Sequence, residues 1–415
     1  MIKRRTLLSL SVAAAVGWPM AMSLPQVPAV AQTESVKVAV IAPMSGPWAR
    51  QGELMLMGAR LAAEDINAQG GIEALGGAKI EIVVHDAGDT AEKAKNAAQR
   101  MVSQETGLVG ATGAWLSSFT LGVTEVTERA GLPLLTLSYS DQITDRGFEY
   151  VFQTSPTGGA QSEGALPALL DLAEQTTGER PKTIGIISDN TAAPLSFVSP
   201  LREGDLATKL GVEIVVDQTF TPPLPDATSL VQEVRSRRPD VLLFTATAIP
   251  DDKLVLEKLN EFGLGQGRLP VISNGAHIGA PELLTTVGAD LLEGVMTVVA
   301  NWGASGQEEI IERFKEETGE PWITQDSMST YGDLWIFKEA MEAAGSADPE
   351  AVAQAIREMD TTEGPAKYFP GGRIRFDEKG RRVDAALVIV QWQSGEPVTV
   401  YPPESAMADP IWPTN

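Results

Sequence analysis

Residues 36–71 read VKVAVIAPMSGPWARQGELMLMGARLAAEDINAQGG, and this stretch decides the fold. The apolar run at residues 36–41, in which Lys37 is the one polar residue, predicts a buried strand. A turn at residues 43–47 follows. Apolar side chains at helical spacing then predict an amphipathic helix near residues 50–68, which Gly70 and Gly71 end.

The turn places Ser45 and Gly46 between the end of a strand and the start of a helix. Backbone N–H groups at a helix N-terminus have no intrahelical partners and favour negative charge. We therefore expect a small-ligand site at the carboxyl ends of the strands, with this turn as one candidate.

Strand-like and helical patterns alternate from residue 36 onward. The strand-like runs are 36–42, 79–85, 107–110, 132–137, 183–188, 212–216, 241–245, 269–273 and 295–300. The helical patterns lie near 50–68, 90–104, 117–130, 160–176, 195–209, 226–237, 251–262, 305–318, 325–345 and 348–358. Repeated βαβ units predict an α/β fold with two doubly wound parallel-sheet lobes.

The ends of the chain carry different signals. A basic start, an apolar middle and an A-x-A site make residues 1–31 a predicted signal peptide, and Arg4-Arg5 also fits the twin-arginine pattern, so both export routes stay open. The alternative is an uncleaved membrane anchor, which the small and helix-breaking residues of this span disfavour. A hairpin is predicted from the alternation at 371–381 and 386–392, and the Pro-rich tail at 401–415 is expected on the surface.

Composition excludes several classes of function. Without the three basic residues of the signal, 29 of the 32 basic residues remain against 55 acidic ones, a net charge of -26 that disfavours nucleic acid as a partner. The chain has no cysteine, so it has neither disulfides nor the lipidated cysteine of a lipoprotein. Its two histidines, His85 and His277, have no nearby second ligand for a metal, and no nucleophile elbow or phosphate loop is present. We predict no enzyme, no cofactor and no metal.

The opening segment resembles the periplasmic substrate-binding proteins of ABC importers, in the branch for branched-chain amino acids. The residues that carry the resemblance are Met44-Ser45-Gly46-Pro47, Gly52, Gly58-Ala59, Asp65-Ile66-Asn67 and Gly70-Gly71-Ile72. The resemblance implies a type I periplasmic binding fold with a three-crossing hinge. Lobe 1 would contain residues 36–155 plus about 300–368, and lobe 2 about 156–299 plus 369–400.

The resemblance also implies a function. The chain would be a monomeric periplasmic protein that closes its lobes on a small ligand and then docks on a membrane permease, whose ATPase subunits are separate chains. A ligand-sensing component of a regulatory or receptor system would use the same clamp, and a secreted enzyme with an unrecognised site is a further alternative.

Candidate ligand contacts lie in loops after the strands of lobe 1. Similar proteins hold the ligand carboxylate in a serine-rich turn, which implies this role for Ser117 and Ser118, although simple helix capping would explain the same residues. Ser138, Tyr139 and Ser140 follow the next strand and would complete that pocket, unless they form an ordinary polar loop. Aromatic side chains at Trp48, Trp115 and Tyr139 would stack on a ring, with ordinary packing as the alternative.

In lobe 2 the corresponding loops supply Asp189, Asn190, Thr247 and Asn274. Amino-acid binders of the resembled family have an acidic residue in the third of these loops, which holds the ligand ammonium group, and this sequence has Asn274-Gly275 there. An unpaired buried charge is costly. We therefore expect an amino acid or related small carboxylate or amide, and disfavour a plain branched-chain amino acid.

Overall fold

The computed structural model describes residues 35–412, and the predicted signal peptide lies outside them. The strands are β1 Ser35–Ala42, β2 Lys79–Asp86, β3 Leu108–Gly113, β4 Leu134–Thr136, β5 Val151–Gln153, β6 Thr183–Asp189, β7 Glu213–Phe220, β8 Val241–Thr245, β9 Val271–Asn274, β10 Met296–Val299, β11 Asp360–Thr361, β12 Ile374–Arg375, β13 Val388–Gln393 and β14 Glu396–Tyr401. The helices are α1 Ala49–Ala68, α2 Ala91–Gln104, α3 Ser117–Arg129, α4 Gly158–Thr177, α5 Ala192–Arg202, α6 Leu206–Leu210, α7 Thr228–Arg237, α8 Ile249–Glu261, α9 Pro281–Val287, α10 Ala289–Leu292, α11 Glu308–Thr318, α12 Gln325–Ala344 and α13 Pro349–Glu358.

Two sheets organise these elements. The first sheet has the order β2-β1-β3-β4-β5 and is parallel throughout. The second has the order β14-β13-β10-β9-β8-β6-β7, in which β13 runs antiparallel to both of its neighbours and the other pairs are parallel. The predicted α/β class is therefore confirmed, with two mainly parallel sheets.

The first sheet and its helices share one hydrophobic core. The run at residues 36–42 is buried from Val38 onward, as a strand covered by helices on both faces should be. Helices α1, α12 and α13 contribute to the same core although α12 and α13 lie far along the chain. The chain thus leaves this core after β5, builds most of the second sheet, and returns at α11 and α12.

Contact between α1 and α12 explains one glycine of the opening motif. A Cβ atom built on Gly58 would lie 2.1 Å from the carbonyl oxygen of Ser327 in α12. Ser327 in turn donates its hydroxyl to the carbonyl of Leu54 at 2.7 Å. Only glycine allows the two backbones to approach this closely.

The second sheet separates two further cores. Along β8, Leu242 and Phe244 pack on one face, and Val241 and Leu243 pack on the other. This alternation is the two-residue period of a strand whose two faces are both covered.

Three expectations about the C-terminal region need correction. Residues 371–381 form no hairpin with 386–392, because β12 pairs with β11 and β13 pairs with β14. Phe369, Ile374 and Phe376 pack in the first core, beyond the expected crossing near residue 368. The tail is not wholly on the surface, since Trp412 is 4% exposed and packs beside the second sheet.

Three strands, β5, β11 and β14, were not predicted. Within residues 35–412, none of the helices combines the length and apolarity needed to cross a bilayer.

Candidate ligand-binding site

A small cavity of about 30 Å³ lies between the carboxyl ends of the two sheets. The residues that line it are Trp115, Leu116, Ser117, Leu137, Ser138, Tyr139, Ala193, Pro194, Thr247, Asn274, Gly275, Ala276, His277 and Gln325. Among these described residues there is no Asp, Glu, Lys or Arg. The volume admits about one water molecule and no larger solute in this conformation.

Helix α3 begins at this cavity. Its first residue, Ser117, is 1% exposed, and no side chain caps the amides of its first turn. The Ser117 Oγ accepts the backbone N–H groups of Tyr139 at 3.0 Å and Ser140 at 3.1 Å. Both lone pairs are thereby used, and the hydroxyl hydrogen is left as a donor beside the positive end of the helix. This combination suits a carboxylate.

A turn with left-handed backbone conformations positions Trp115 at the same cavity. Gly113, at φ 130°, lies so close to strand β1 that a Cβ atom built on it would be 2.0 Å from the Ile41 carbonyl oxygen. Ala114 and Trp115 follow at φ 60° and 53°, a left-handed conformation that non-glycine residues rarely adopt. The indole Nε1 then donates to Asp326 Oδ1 at 2.8 Å, which fixes the ring against the cavity. Burial raises the pKa of Asp326 to about 7, although the indole bond acts in the opposite direction.

Ser138 lines the cavity but its hydroxyl is already occupied. It donates to the Trp115 carbonyl at 2.8 Å and accepts from Thr136 at 3.0 Å, and it lies 2.6 Å from the Thr120 hydroxyl. Its hydroxyl therefore holds the strained turn and has no free donor for a ligand.

Tyr139 presents its ring to the cavity while its hydroxyl bonds elsewhere. The hydroxyl donates to Gln325 Oε1, which also accepts the Ala300 N–H at 2.7 Å. Burial raises the pKa of Tyr139, which stays neutral. Ala300 follows β10, so this bond joins the loop after β4 to the segment that returns from the second sheet.

The second sheet contributes Thr247 and Asn274. Thr247 donates its hydroxyl to Asp189 Oδ2 at 2.6 Å. Asn274 donates its amide hydrogens to Gln161 Oε1 at 2.9 Å and to the Val298 carbonyl at 3.1 Å. Both side chains are held in one orientation at the cavity wall.

His277 is the titratable group of this wall. Its Nδ1 lies 2.6 Å from Asp252 Oδ2, and its Nε2 lies 3.3 Å from the Asn274 carbonyl oxygen. The expected absence of a carboxylate near this loop is therefore only partly right, because α8 brings Asp252 to it. That carboxylate is already paired with the imidazole.

Five predicted site residues do not line the cavity. Ser118 Oγ accepts the Ala192 N–H at 3.1 Å across the interface between the two halves, and Asn190 lies at a neighbouring open groove. Ser140 accepts from Ser196, and Asp189 anchors its own loop through Thr191. Trp48 packs edge-on against Phe119 in the first core.

The turn at Ser45 and Gly46 is also outside the cavity lining. Asp86 Oδ1 accepts the Met44 N–H at 2.9 Å and the Gly88 N–H at 2.7 Å, which shows how the turn is held. Hydrogen bonds to Asp86 from this turn lower its pKa, although burial alone would raise it. In the described residues, this turn therefore contributes to the fold and does not line the cavity.

Sequence reasoning missed Gln325 and gave no role to His277. Gln325 begins a helix that follows no strand, so the rule that sites lie at strand ends could not select it. His277 was noted in its loop, but its partner Asp252 lies 25 residues earlier in a helix. Two α/β sheets that enclose a small buried cavity between the carboxyl ends of their strands are the arrangement of the class of solute-binding proteins.

Comparison with known proteins identifies the family. The sequence pattern of the periplasmic binding protein family matches residues 35–397. The chain belongs to the periplasmic binding protein family, whose members bind solutes and are not enzymes.

Individual relatives are more distant. Leu/Ile/Val-binding protein homolog 8 of Brucella melitensis is 29% identical over 384 residues, covering 90% of this chain and 92% of the relative. A leucine-binding protein from Thermotoga maritima superposes with a TM-score of 0.74 at 22% identity, covering 88% of this chain and 97% of its own. A solute-binding protein from Rhodopseudomonas palustris BisB5, in complex with 3,4-dihydroxybenzoic acid, superposes with a TM-score of 0.74 at 22% identity. The match covers 91% of this chain and 98% of that protein. At this identity the two structures show the shared fold.

Proposed function

We propose that this protein is the periplasmic solute-binding component of an ABC importer and that its solute is a small carboxylic acid. The observation that carries the proposal is Ser117, whose hydroxyl hydrogen and helix N-terminus face an enclosed cavity. The relatives' names support the importer role and a range of solutes, from leucine to 3,4-dihydroxybenzoic acid.

The proposal includes two lobes that close on the solute. One contains residues 36–155 with about 300–376, and the other contains about 156–299 with the last strands, so that the chain crosses three times. The packing of Phe376 in the first core supports a third crossing later than residue 368. Closure excludes water and is driven by the solute's preference for the closed form. The closed form would then dock on the permease.

The cavity lining disfavours an α-ammonium group in the solute. Its described residues include no carboxylate, and the two carboxylates bonded to lining or neighbouring side chains are held there, Asp252 Oδ2 by His277 and Asp189 by Thr247 and Thr191. An ammonium group buried there would lack a counter-ion. Trp115 and Tyr139 line the cavity and can pack against a ring or an alkyl chain of the solute. Trp48 packs against Phe119 instead.

A thermal-shift screen tests the solute class. The mature protein is unfolded to remove carried-over solute, refolded, and melted with aliphatic amino acids, aromatic acids, keto acids, amides and polyamines. Binding to the native state raises the melting temperature with RT ln(1 + [L]/Kd). We expect shifts with acids that lack an amine. A large shift with leucine, isoleucine or valine and none with those acids would contradict the proposal.

A further inference from the structure

Asn274 has a buried acceptor that nothing satisfies. The side chain is 3% exposed and lines the cavity, and both amide hydrogens are used on Gln161 and Val298. Its Oδ1 has no hydrogen-bond partner. A buried oxygen without a partner costs free energy, and a donor on a bound solute would remove that cost.

His277 supplies the complementary donor on the same wall. Both ring nitrogens face acceptors, namely Asp252 Oδ2 at 2.6 Å and the Asn274 carbonyl oxygen at 3.3 Å. A neutral imidazole can donate to only one of them, so this environment favours the doubly protonated ring. The bond to the Asn274 carbonyl is long, which leaves the Nε2–H available to a better acceptor.

The charges around the ring agree with this protonation state. Burial alone would lower the pKa of His277, but Asp252 and the Asn274 carbonyl outweigh it and the pKa is raised. Asp189 on β6, Asp251 on α8 and Asp326 on α12 are the other titratable groups that face it. Burial raises the pKa of all three, to about 6 for Asp251 and about 7 for Asp326.

We propose that the Asn274–His277 pair recognises a hydroxyl group on the solute, so that the preferred solute is a hydroxy acid. The hydroxyl donates to Asn274 Oδ1 and accepts from His277 Nε2–H, while the carboxylate lies at Ser117 on the opposite wall. A hydroxyl is both donor and acceptor, and it matches the two groups together. The inference rests on the proposed binding of small acids and names a narrower class.

Calorimetric titration with matched acids tests this class. The probes are 4-hydroxybenzoate against benzoate, and 2-hydroxyisovalerate against isovalerate. In at least one pair we expect the hydroxy acid to bind about tenfold to a hundredfold more tightly. An acid without the hydroxyl group leaves two buried protein groups unpaired. In Asn274→Ala and His277→Gln this ratio should fall to about twofold or less. The control His85→Gln, at the chain's other histidine, should keep the wild-type ratio.

The outcomes separate the two proposals. If acids bind but the ratio is near one in the wild type, or is unchanged in both variants, the hydroxyl pair is wrong and the proposed function stands. If none of the four acids binds, the hydroxy-acid inference fails, and the thermal-shift screen decides whether the proposed function fails with it.

A second measurement needs no solute and no substitution in the cavity lining. Nitrogen-15 NMR of the histidine rings at pH 7 should show both nitrogens of His277 protonated, with the His85→Gln protein giving the assignment. A His277 ring without a proton on Nε2 would overturn the proposal.

Discussion

At the residue scale, the site is built from polar groups that are mostly satisfied by each other. Ser138 is fully used in holding the turn at Trp115, whereas Ser117 retains one donor. Serines near strand ends could be selected from the sequence. Which of them had a free donor could not be predicted, because that depends on Thr120, Thr136 and backbone atoms brought together by folding.

Burial of Asp333 predicts a pH-dependent stability. The carboxylate accepts the Thr112 hydroxyl at 2.6 Å, and burial raises its pKa to about 7, with Thr112, Thr154 and Arg382 opposing the shift. A raised pKa in the native state means that the stabilisation is complete below the unfolded pKa and is lost as the pH rises toward 7. We expect the free energy of unfolding to fall between pH 5 and pH 8.

In Asp333→Asn, the fall in the free energy of unfolding between pH 5 and pH 8 should be smaller by on the order of 2 kcal/mol, because the amide cannot ionise. Urea denaturation at pH 5 and pH 8 measures the slope, whatever the absolute stability of the variant. Asp171→Asn, at an exposed position of α4, is the control. Equal slopes in wild type and Asp333→Asn would rule out this assignment.

At the scale of elements, the alternation of strands and helices could be predicted almost throughout. The apolar runs that became β1, β6 and β8 each extend over about five residues and are rich in β-branched or aromatic residues, so they are recognised as buried strands. The missed β5 has three residues, too few to show a period. The hairpin error has a related cause, since local alternation does not specify which strand a segment pairs with.

The crossing of α1 and α12 gives a test at this scale. Gly58→Ala would place a methyl group 2.1 Å from the Ser327 carbonyl, so the helices must separate. We expect a loss of about 1–3 kcal/mol, as for other overpacked positions. Gly122→Ala in α3 meets its nearest atoms at an ordinary 3.4 Å and should change stability little. Chemical denaturation of both variants checks this, and equal stabilities would contradict the close crossing.

At the scale of the whole molecule, Arg50 forms ion pairs that link elements of the two cores. Arg50 in α1 lies 2.5 Å from Glu282 in α9 and 2.6 Å from Glu320. Glu282 precedes Leu283 of the second sheet's core, whereas α1 belongs to the first core. The sequence could not predict this pair, because it depends on how the two halves meet.

Arg50→Met should shift the protein toward an open form. Partly buried pairs of this kind contribute roughly 1 kcal/mol, so we expect solute affinity to fall by a few-fold and the radius of gyration without solute to rise. Lys93→Met removes a pair with Asp89 inside the first half and is the control. Small-angle X-ray scattering and titration at low and high salt measure both effects. An unchanged radius and affinity would show that the pair does not favour closure.

The most direct test of the account is calorimetric titration of wild type, Ser117→Ala and Ser117→Thr with the acid that gives the largest thermal shift. A charge-assisted hydrogen bond contributes about 1.5–3 kcal/mol, so we predict about tenfold to a hundredfold weaker binding in Ser117→Ala. Ser117→Thr keeps the hydroxyl and should retain most of the affinity. If Ser117→Ala, shown to be folded by its melting curve, bound the acid as tightly as the wild type, the carboxylate would not lie at the start of α3 and the central claim would be contradicted.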